Sequence, residues 1–176
     1  MTIRVVPRED LKGDELDALL KLCSPLLDGI GPTYWEDIGP GTHIIHEEKG
    51  EPVSHACVVP LELHAAGRSI YTGYVEAVCT RVDRQHKGFA TKVMGAVVEH
   101  LAAEHYLLGG LSTSIPGFFT RLGWEPWRGT LWIRTDEGVE RARDAEGSVF
   151  VLRTAATPRR LYLDAPLSAP RRSSTW

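Results

Sequence analysis

The sequence predicts an α/β domain in which a mixed, mostly antiparallel sheet is flanked by helices. Three observations predict it. Residues 74–101 read as a strand, a tight turn and a long amphipathic helix. Upstream of them, two runs rich in β-branched residues face each other across a glycine-proline turn, the pattern of an antiparallel pair. Downstream, short strands alternate with one short helix. The resulting order is strand, helix, three antiparallel strands, helix, strand, helix, two strands, which suits a layered α/β arrangement. A chain of 176 residues, 43% apolar and 24% charged, is long enough to bury a core and ordinary in composition for a globular protein.

Taken in order, Ile3 to Val6 reads as a first strand ended by Pro7. Asp14 is placed to cap a helix reaching about Leu27, with Leu16, Leu19, Leu20, Cys23 and Leu27 on its apolar face and Pro25 near its end. From Asp28 to Gly41, Gly29, Gly31, Pro32, Gly39 and Pro40 speak against any regular element. Tyr34 and Trp35 sit in this stretch beside Glu36 and Asp37. They either line a substrate cleft or fold back onto the core, and the residues leave both readings open. Residues 42–47 and 53–63 form a predicted hairpin turned at 49–52, and a second turn at 65–68 leads into a strand over 69–82. In the helix that follows, Phe89, Val93, Val97 and Leu101 recur every four residues, with Met94 and Val98 beside them, the spacing of one buried face. Residues 106–112 form a short strand. Residues 115–122 fit a short helix with Ser114 as its cap, Pro116 in its first turn and Gly123 to stop it. Residues 131–134 and 149–152 read as late strands, separated by a charged excursion. The predicted domain covers residues 1–156, and 157–176 form a C-terminal tail that closes over the substrate site.

Charge and cysteine usage narrow the function. A net charge of −3 provides no general footprint for nucleic acid, and the pairs Arg159-Arg160 and Arg171-Arg172 read as solvated surface. Cys23, Cys57 and Cys79 lack C-x-x-C spacing and lie among apolar residues, as reduced core thiols of a cytoplasmic protein do. A nucleophilic role for Cys79 has no activating partner legible in the spacing. The histidines at 43, 46, 55, 64, 86, 100 and 105 form no tight ligand motif, so no metal is predicted, although His46 and His55 are placed to face each other across the hairpin. The N-terminus lacks the apolar stretch of a signal peptide, and no segment reaches the roughly 20 apolar residues of a membrane span.

The chemistry is concentrated at the turn Arg84-Gln85-His86-Lys87-Gly88-Phe89-Ala90-Thr91. A helix start leaves about four backbone N–H groups without intrahelical partners, and with the helix dipole they make an anion site. Gly88 and the small Ala90 admit a ligand close to the backbone, and Arg84 and Lys87 add positive charge. A pyrophosphate is the natural occupant. Gln85-x-x-Gly88-x-Ala90 resembles the Q/R-x-x-G-x-G/A loop of the GCN5-related N-acetyltransferases (GNAT), which holds the pyrophosphate of acetyl-coenzyme A. The resemblance implies a single-domain GNAT fold with splayed central strands, here those around Cys79 and Leu111.

Further stretches resemble the aminoglycoside 2′-N-acetyltransferases. They are Gly73 to Val78, Leu108 to Ser114, Leu122-Gly123-Trp124-Glu125-Pro126-Trp127-Arg128-Gly129, Gly147 to Leu152 and a terminal Trp176; Trp35-Glu36, His43 and His55-Ala56 fall in register. This implies a cytoplasmic, homodimeric enzyme acting on a small molecule, with acetyl-coenzyme A as cosubstrate, no metal, and neither nucleic acid nor membrane as partner. It implies cofactor contacts from Val78, Thr80, Gln85, His86, Lys87, Gly88, Phe89, Ala90, Thr91, Ser112 and Phe119. Substrate contacts fall on Asp28, Tyr34, Trp35, Tyr74, Glu76, Ser112 and Trp176, the last offering both a carboxylate and an indole face.

Chemistry agrees with the role of Glu76. An ammonium is not a nucleophile, so a carboxylate near the substrate amine has to accept a proton, and apolar neighbours are expected to raise the pKa of that carboxylate. The backbone N–H of Val78, at an expected bulge, is the implied donor to the thioester oxyanion, a role worth about 2.7–4 kcal/mol. Many relatives protonate the leaving thiolate with a tyrosine. Phe119 stands there and has no proton to give, which leaves Ser114, Ser112 or water. Broad-spectrum relatives carry two aspartates where Gly29 and Tyr34 stand, and another where Ser174 stands. Fewer carboxylates fit a drug with fewer amines, and kasugamycin is the favoured substrate. Arg81, Arg128 or Arg171 would meet its acidic group. Other amine-acetylating GNAT enzymes and a non-catalytic cofactor- or drug-binding module are the alternatives.

Overall fold

The computed structural model describes residues 2–172 and Trp176. The chain divides into two compact units, Met1–Val59 with Val75–His100, and Pro60–Tyr74 with Leu101–Trp176.

In the first unit, β1 (Thr2–Pro7) pairs antiparallel with β2 (Thr42–Glu48), and β2 pairs antiparallel with the first part of β3 (Glu51–Ala65). The β2–β3 turn is tighter than predicted. Only Lys49 and Gly50 lie between the strands, both left-handed (φ 53° and 83°), the two-residue geometry whose twist matches that of the flanking strands. Helix α1 spans Gly13–Cys23. Its cap is Lys12 rather than Asp14: the Lys12 backbone N–H donates to the Glu15 carboxylate at 3.1 Å, and Asp14 lies inside the first turn, where its charge meets the helix dipole. The helix stops before Pro25.

Tyr34–Ile38 form a short helix, α2, although a regular element was not expected there. Tyr34, Trp35 and Ile38 are all buried, and packing of this apolar triplet outweighs the flanking glycines. With Leu19, Leu22, Cys23, Ile45, Cys57, Val59, Ala77 and Cys79 they form the core of this unit. The last part of β4 (Arg68–Thr80) and helix α3 (Phe89–Ala103) complete it. Phe89, Val93, Met94 and Val97 are buried along α3, as the periodicity predicts, whereas Val98 is 39% exposed.

The second unit contains the remainder of β3 and β4, joined by a hairpin with Ala66 and Gly67 left-handed (φ 50° and 72°). Its strand order is β6-β9-β5-β4-β3-β10-β7-β8. Here β5 is Leu108–Ser112, β6 Glu125–Pro126, β7 Leu131–Thr135, β8 Gly138–Arg141, β9 Val149–Arg153 and β10 Leu167–Pro170; α4 is Pro116–Arg121. The parallel β4–β5 ladder runs over Thr72↔Leu108, Gly73↔Gly109 and Tyr74↔Gly110.

Three strands were not predicted. β6 is two residues long, β8 is exposed and charged, and β10 lies in the stretch read as tail, where it pairs with both β3 and β7. The α4 cap differs too. Ile115 holds the cap position without a side-chain bond, and the Thr113 hydroxyl, not that of Ser114, accepts the Ile115 backbone N–H at 3.0 Å. Gly123 (φ 87°) ends α4 as predicted.

The small residues of the second unit have a packing reason. A Cβ on Gly109 would lie 2.8 Å from Leu101 Cδ1 and 3.1 Å from the Trp124 ring, and one on Gly110 would lie 3.0 Å from the Tyr74 ring. The Gly109-Gly110 pair thus lets Trp124 and Tyr74 pack directly against the backbone. Trp127 donates its indole N–H to the Ala165 carbonyl at 2.8 Å.

Candidate active site

In the first unit, β4 carries Glu76, Ala77 and Val78. Ala77 has φ 50°, a left-handed residue inside a strand. The irregularity therefore falls one residue earlier than predicted, directly between the proposed base and the proposed oxyanion donor. A non-glycine residue in this conformation costs about 1–3 kcal/mol and persists only where its surroundings impose it.

The surroundings are visible. His55, fully buried, lies with Nδ1 3.0 Å from the Ala77 carbonyl, and its Nε2 is 2.9 Å from His43 Nδ1. Burial pushes the His55 pKa down to about 3, further lowered by the charge on His43 when protonated, and burial pushes His43 down to about 4. Both rings are therefore neutral at pH 7. A carbonyl only accepts, so His55 Nδ1 carries the proton that it donates to Ala77. His55 Nε2 is then an acceptor, and His43 Nδ1–H donates to it. This pair holds the strand in its unusual conformation. The predicted partner of His55 was His46; that ring packs instead on Phe89, with centroids 4.8 Å apart.

The Tyr34 hydroxyl donates to Glu76 Oε2 at 3.3 Å. Burial, then the charge of Glu76, pushes the tyrosine pKa well up, so the phenol stays protonated and serves as a fixed donor to the carboxylate. Trp35, left open between cleft and core, is core. It is 3% exposed, its indole N–H donates to the Leu16 carbonyl at 3.3 Å, and its ring meets His43 and His55 edge-on at 5.0 and 5.5 Å. It backs the histidine pair and is not positioned as a substrate-contact surface. Asp28 is exposed in a turn.

After β4 the chain enters the loop to α3. The Gln85 side-chain amide donates to the Thr80 carbonyl at 3.1 Å, and the Thr80 hydroxyl is 2.7 Å from that of Ser54. His86 (φ 60°) and Gly88 (φ 81°) are left-handed, a pairing that curls the loop ahead of α3. Gly88 has open space where a Cβ would stand, and the first turn of α3 carries no acidic residue. Gln85, His86, Lys87, Gly88 and Thr91 are exposed, Ala90 is half-buried and Phe89 is buried. Lys87 Nζ donates to the Asp83 carbonyl at 2.9 Å, and Arg84 pairs with Glu48 at 2.5 Å and Asp83 at 2.8 Å. The loop backbone is open, and its two cations, Arg84 and Lys87, are held by Glu48 and Asp83.

In the second unit, Ser112 is exposed, with its hydroxyl 2.9 Å from that of Ser148, and Ser114 is exposed. Phe119 is 4% exposed and packs edge-on against Phe118 and Trp124. The Trp176 ring lies 6.3 Å from that of Tyr74 and joins the core cluster of this unit. The three arginines considered for a substrate carboxylate already have acidic partners: Arg81 with Asp83 at 2.7 Å, Arg128 with Asp164 at 2.6 Å, and Arg171 with Glu140.

Sequence reasoning missed His55 and His43 as positioning residues. The available signal was their placement on adjacent strands of the predicted hairpin. It also missed the buried trio Cys23, His55 and Cys79, whose ligand-type atoms all lie within 4.8 Å of one another.

A strand broken at Ala77 beside an acid, followed by an open loop at the start of a helix, fits the acetyltransferase resemblance, and known proteins match the chain in the same sense. The acetyltransferase (GNAT) domain family matches residues 32–127. An aminoglycoside 2′-N-acetyltransferase from Mycolicibacterium fortuitum is 32% identical over 154 residues, 86% of this chain and 78% of that protein. YhbS from Escherichia coli, a GNAT family N-acetyltransferase solved in complex with CoA, shares the fold at 12% identity with a TM-score of 0.66, covering 96% of this chain and 88% of that one. Eis1 from Mycobacterium abscessus does so at 15% identity and a TM-score of 0.61, covering 73% of this chain, which spans about a third (31%) of that one. The chain belongs to the GNAT acetyltransferase family. Its activity is N-acetyl transfer from acetyl-coenzyme A.

Proposed function

We propose that the acceptor is the 2′-amine of an aminoglycoside, acetylated by direct attack on acetyl-coenzyme A, and that the reaction confers resistance. The observation that carries this reading is the Tyr34–Glu76 pair at 3.3 Å beside the left-handed Ala77, in a chain 32% identical to an aminoglycoside 2′-N-acetyltransferase. In this mechanism Glu76 takes the proton from the substrate ammonium, directly or through water, and Tyr34 holds the carboxylate in place. The free amine attacks the thioester. The Val78 backbone N–H, turned by the Ala77 conformation, donates to the oxyanion. The loop of Gln85 to Ala90 and Thr91 holds the pyrophosphate, with Thr80, Ser112 and Phe119 as further cofactor contacts. Ser114 or water supplies a proton to the leaving thiolate. Asp28, Tyr74 and Trp176 contact the sugar.

Within this class kasugamycin is the favoured substrate. The site region has Asp28 but Gly29 and Tyr34 where broad-spectrum relatives have acids, and each missing charge-assisted hydrogen bond forfeits about 1.5–3 kcal/mol for a polycationic drug. Thiol release is to be followed with kasugamycin, kanamycin and gentamicin in turn. Turnover of kasugamycin above the other two supports the refinement. Turnover of kanamycin or gentamicin with none of kasugamycin ends it, and release with none of the three but with another amine ends the aminoglycoside reading. A homodimer in the cytoplasm is part of the same proposal, and light scattering of the purified chain tests the oligomeric state.

A further inference from the structure

Cys23 is the last residue of α1 and Cys79 lies one residue from the end of β4. They are 56 positions apart in sequence, yet their sulfurs are 2.8 Å apart in the core of the first unit. Closing to a bond of about 2.05 Å needs a movement of only about 0.75 Å. The Cys23 sulfur is also 3.7 Å from His55 Nδ1 and 4.0 Å from the Ala77 carbonyl, so the pair sits against the group that fixes the active-site strand.

Two thiols and an imidazole suggest a metal site as the first alternative, but two features oppose it. His55 Nδ1 points its proton at the Ala77 carbonyl, 3.0 Å away, so it offers no lone pair to an ion. Thiolates on one tetrahedral zinc stand about 3.8 Å apart, from a Zn–S length of about 2.3 Å, and here the separation is 2.8 Å. The two thiols are free and in hydrogen-bond contact, and their separation suits a bond between the sulfurs better than a shared zinc.

We propose that Cys23 and Cys79 are a redox-responsive dithiol, converted by a peroxide to a disulfide that ties the end of α1 to β4. Cys79, 6% exposed against 0% for Cys23, meets the oxidant. Its thiolate attacks one peroxide oxygen, the O–O bond breaks, and a sulfenic acid and hydroxide result. The Cys23 sulfur then displaces that hydroxyl: the S–S bond forms, the S–O bond breaks, and the Cys23 proton leaves with it as water. In total two thiols and one hydrogen peroxide become one disulfide and two waters. A dithiol reductant reverses the change by exchange.

The full chain, reduced and then exposed to hydrogen peroxide, is unfolded and alkylated, and its mass is read intact and after digestion. Of the three cysteines, one is expected to alkylate after oxidation and all three after dithiothreitol treatment, with a peptide joining Cys23 to Cys79. The oxidised protein melts several degrees higher, because the bond constrains a long loop in the unfolded chain, and dithiothreitol removes the difference. Cys57→Ser leaves the crosslink intact, whereas Cys23→Ser or Cys79→Ser leaves two alkylated cysteines before and after oxidation. Three alkylated cysteines in the oxidised wild type overturn the proposal, as does a crosslink through Cys57. So does stoichiometric zinc that is lost in His55→Gln, which makes the trio a metal site.

Discussion

At the scale of single residues, the site depends on what surrounds one alanine. Ala77 stays left-handed because a neutral histidine pair grips its carbonyl, and the turn it makes separates Glu76 from Val78. Glu76→Gln keeps the shape and removes the proposed base. Its kcat is expected to fall by about 10²–10⁴-fold while the affinity for acetyl-coenzyme A, read by calorimetry, stays within a factor of two. Equal loss of cofactor affinity would place Glu76 in binding and not in proton transfer. Tyr34→Phe removes one hydrogen bond to the carboxylate, and a smaller loss of kcat, about 10-fold, follows from a charge-assisted bond of about 1.5 kcal/mol.

At the scale of elements, two glycines divide the roles of binding and folding. Gly88 needs its left-handed conformation but has open space above it, so Gly88→Ala strains the loop by about 1–2 kcal/mol and places a methyl where the cofactor is proposed to approach. The expected outcome is a several-fold rise in KM for acetyl-coenzyme A with a modest loss of stability. Gly129 is the opposite case. A Cβ there would lie 1.9 Å from the Ala165 carbonyl oxygen and 2.6 Å from its carbon, both backbone atoms. Gly129→Ala must displace the chain and is expected to cost about 3 kcal/mol, visible as a lower denaturant midpoint. A midpoint unchanged from wild type would mean that this segment yields freely.

Scale matters also for what was legible in advance. The period of Phe89, Val93 and Val97 survives in the structure because helical packing repeats locally. The predicted cap at Asp14 fails because Glu15, one residue on, reaches back to the Lys12 N–H. Helix α2 escaped notice because the burial that stabilises it comes from partners distant in sequence, Cys57 and Ala77 among them. β10 escaped for the same reason: Leu167 pairs with both Ala65 and Leu131, and nothing in four residues announces such neighbours.

For the molecule as a whole, the buried histidines make stability depend on pH. His43 and His55 titrate near 6.5 when unfolded and are held down to about 4 and about 3 in the fold. Above pH 6.5 both states are neutral and their contribution is complete. As pH falls below 6.5 the unfolded chain binds protons that the folded chain excludes, so stability is lost at about 1.4 kcal/mol per pH unit for each histidine until the folded pKa is reached. The melting temperature is expected to be flat between pH 7 and 8 and to drop steeply from pH 6.5 to 4.5. A flat profile to pH 4.5 would contradict the neutral pair.

The chain's own order of residues determined the family and singled out the proposed phosphate loop and the proposed base at position 76, because each is a local pattern of side chains and turns that needs no distant partner to be recognised. Only the tertiary structure decided how the acid is held, which aromatic residue serves the core, and which cysteines meet. Those outcomes depend on neighbours tens of positions away: Tyr34 on Glu76, His55 on Ala77, Cys23 on Cys79. Burial brings them within hydrogen-bond range, and no periodicity along the sequence encodes that distance.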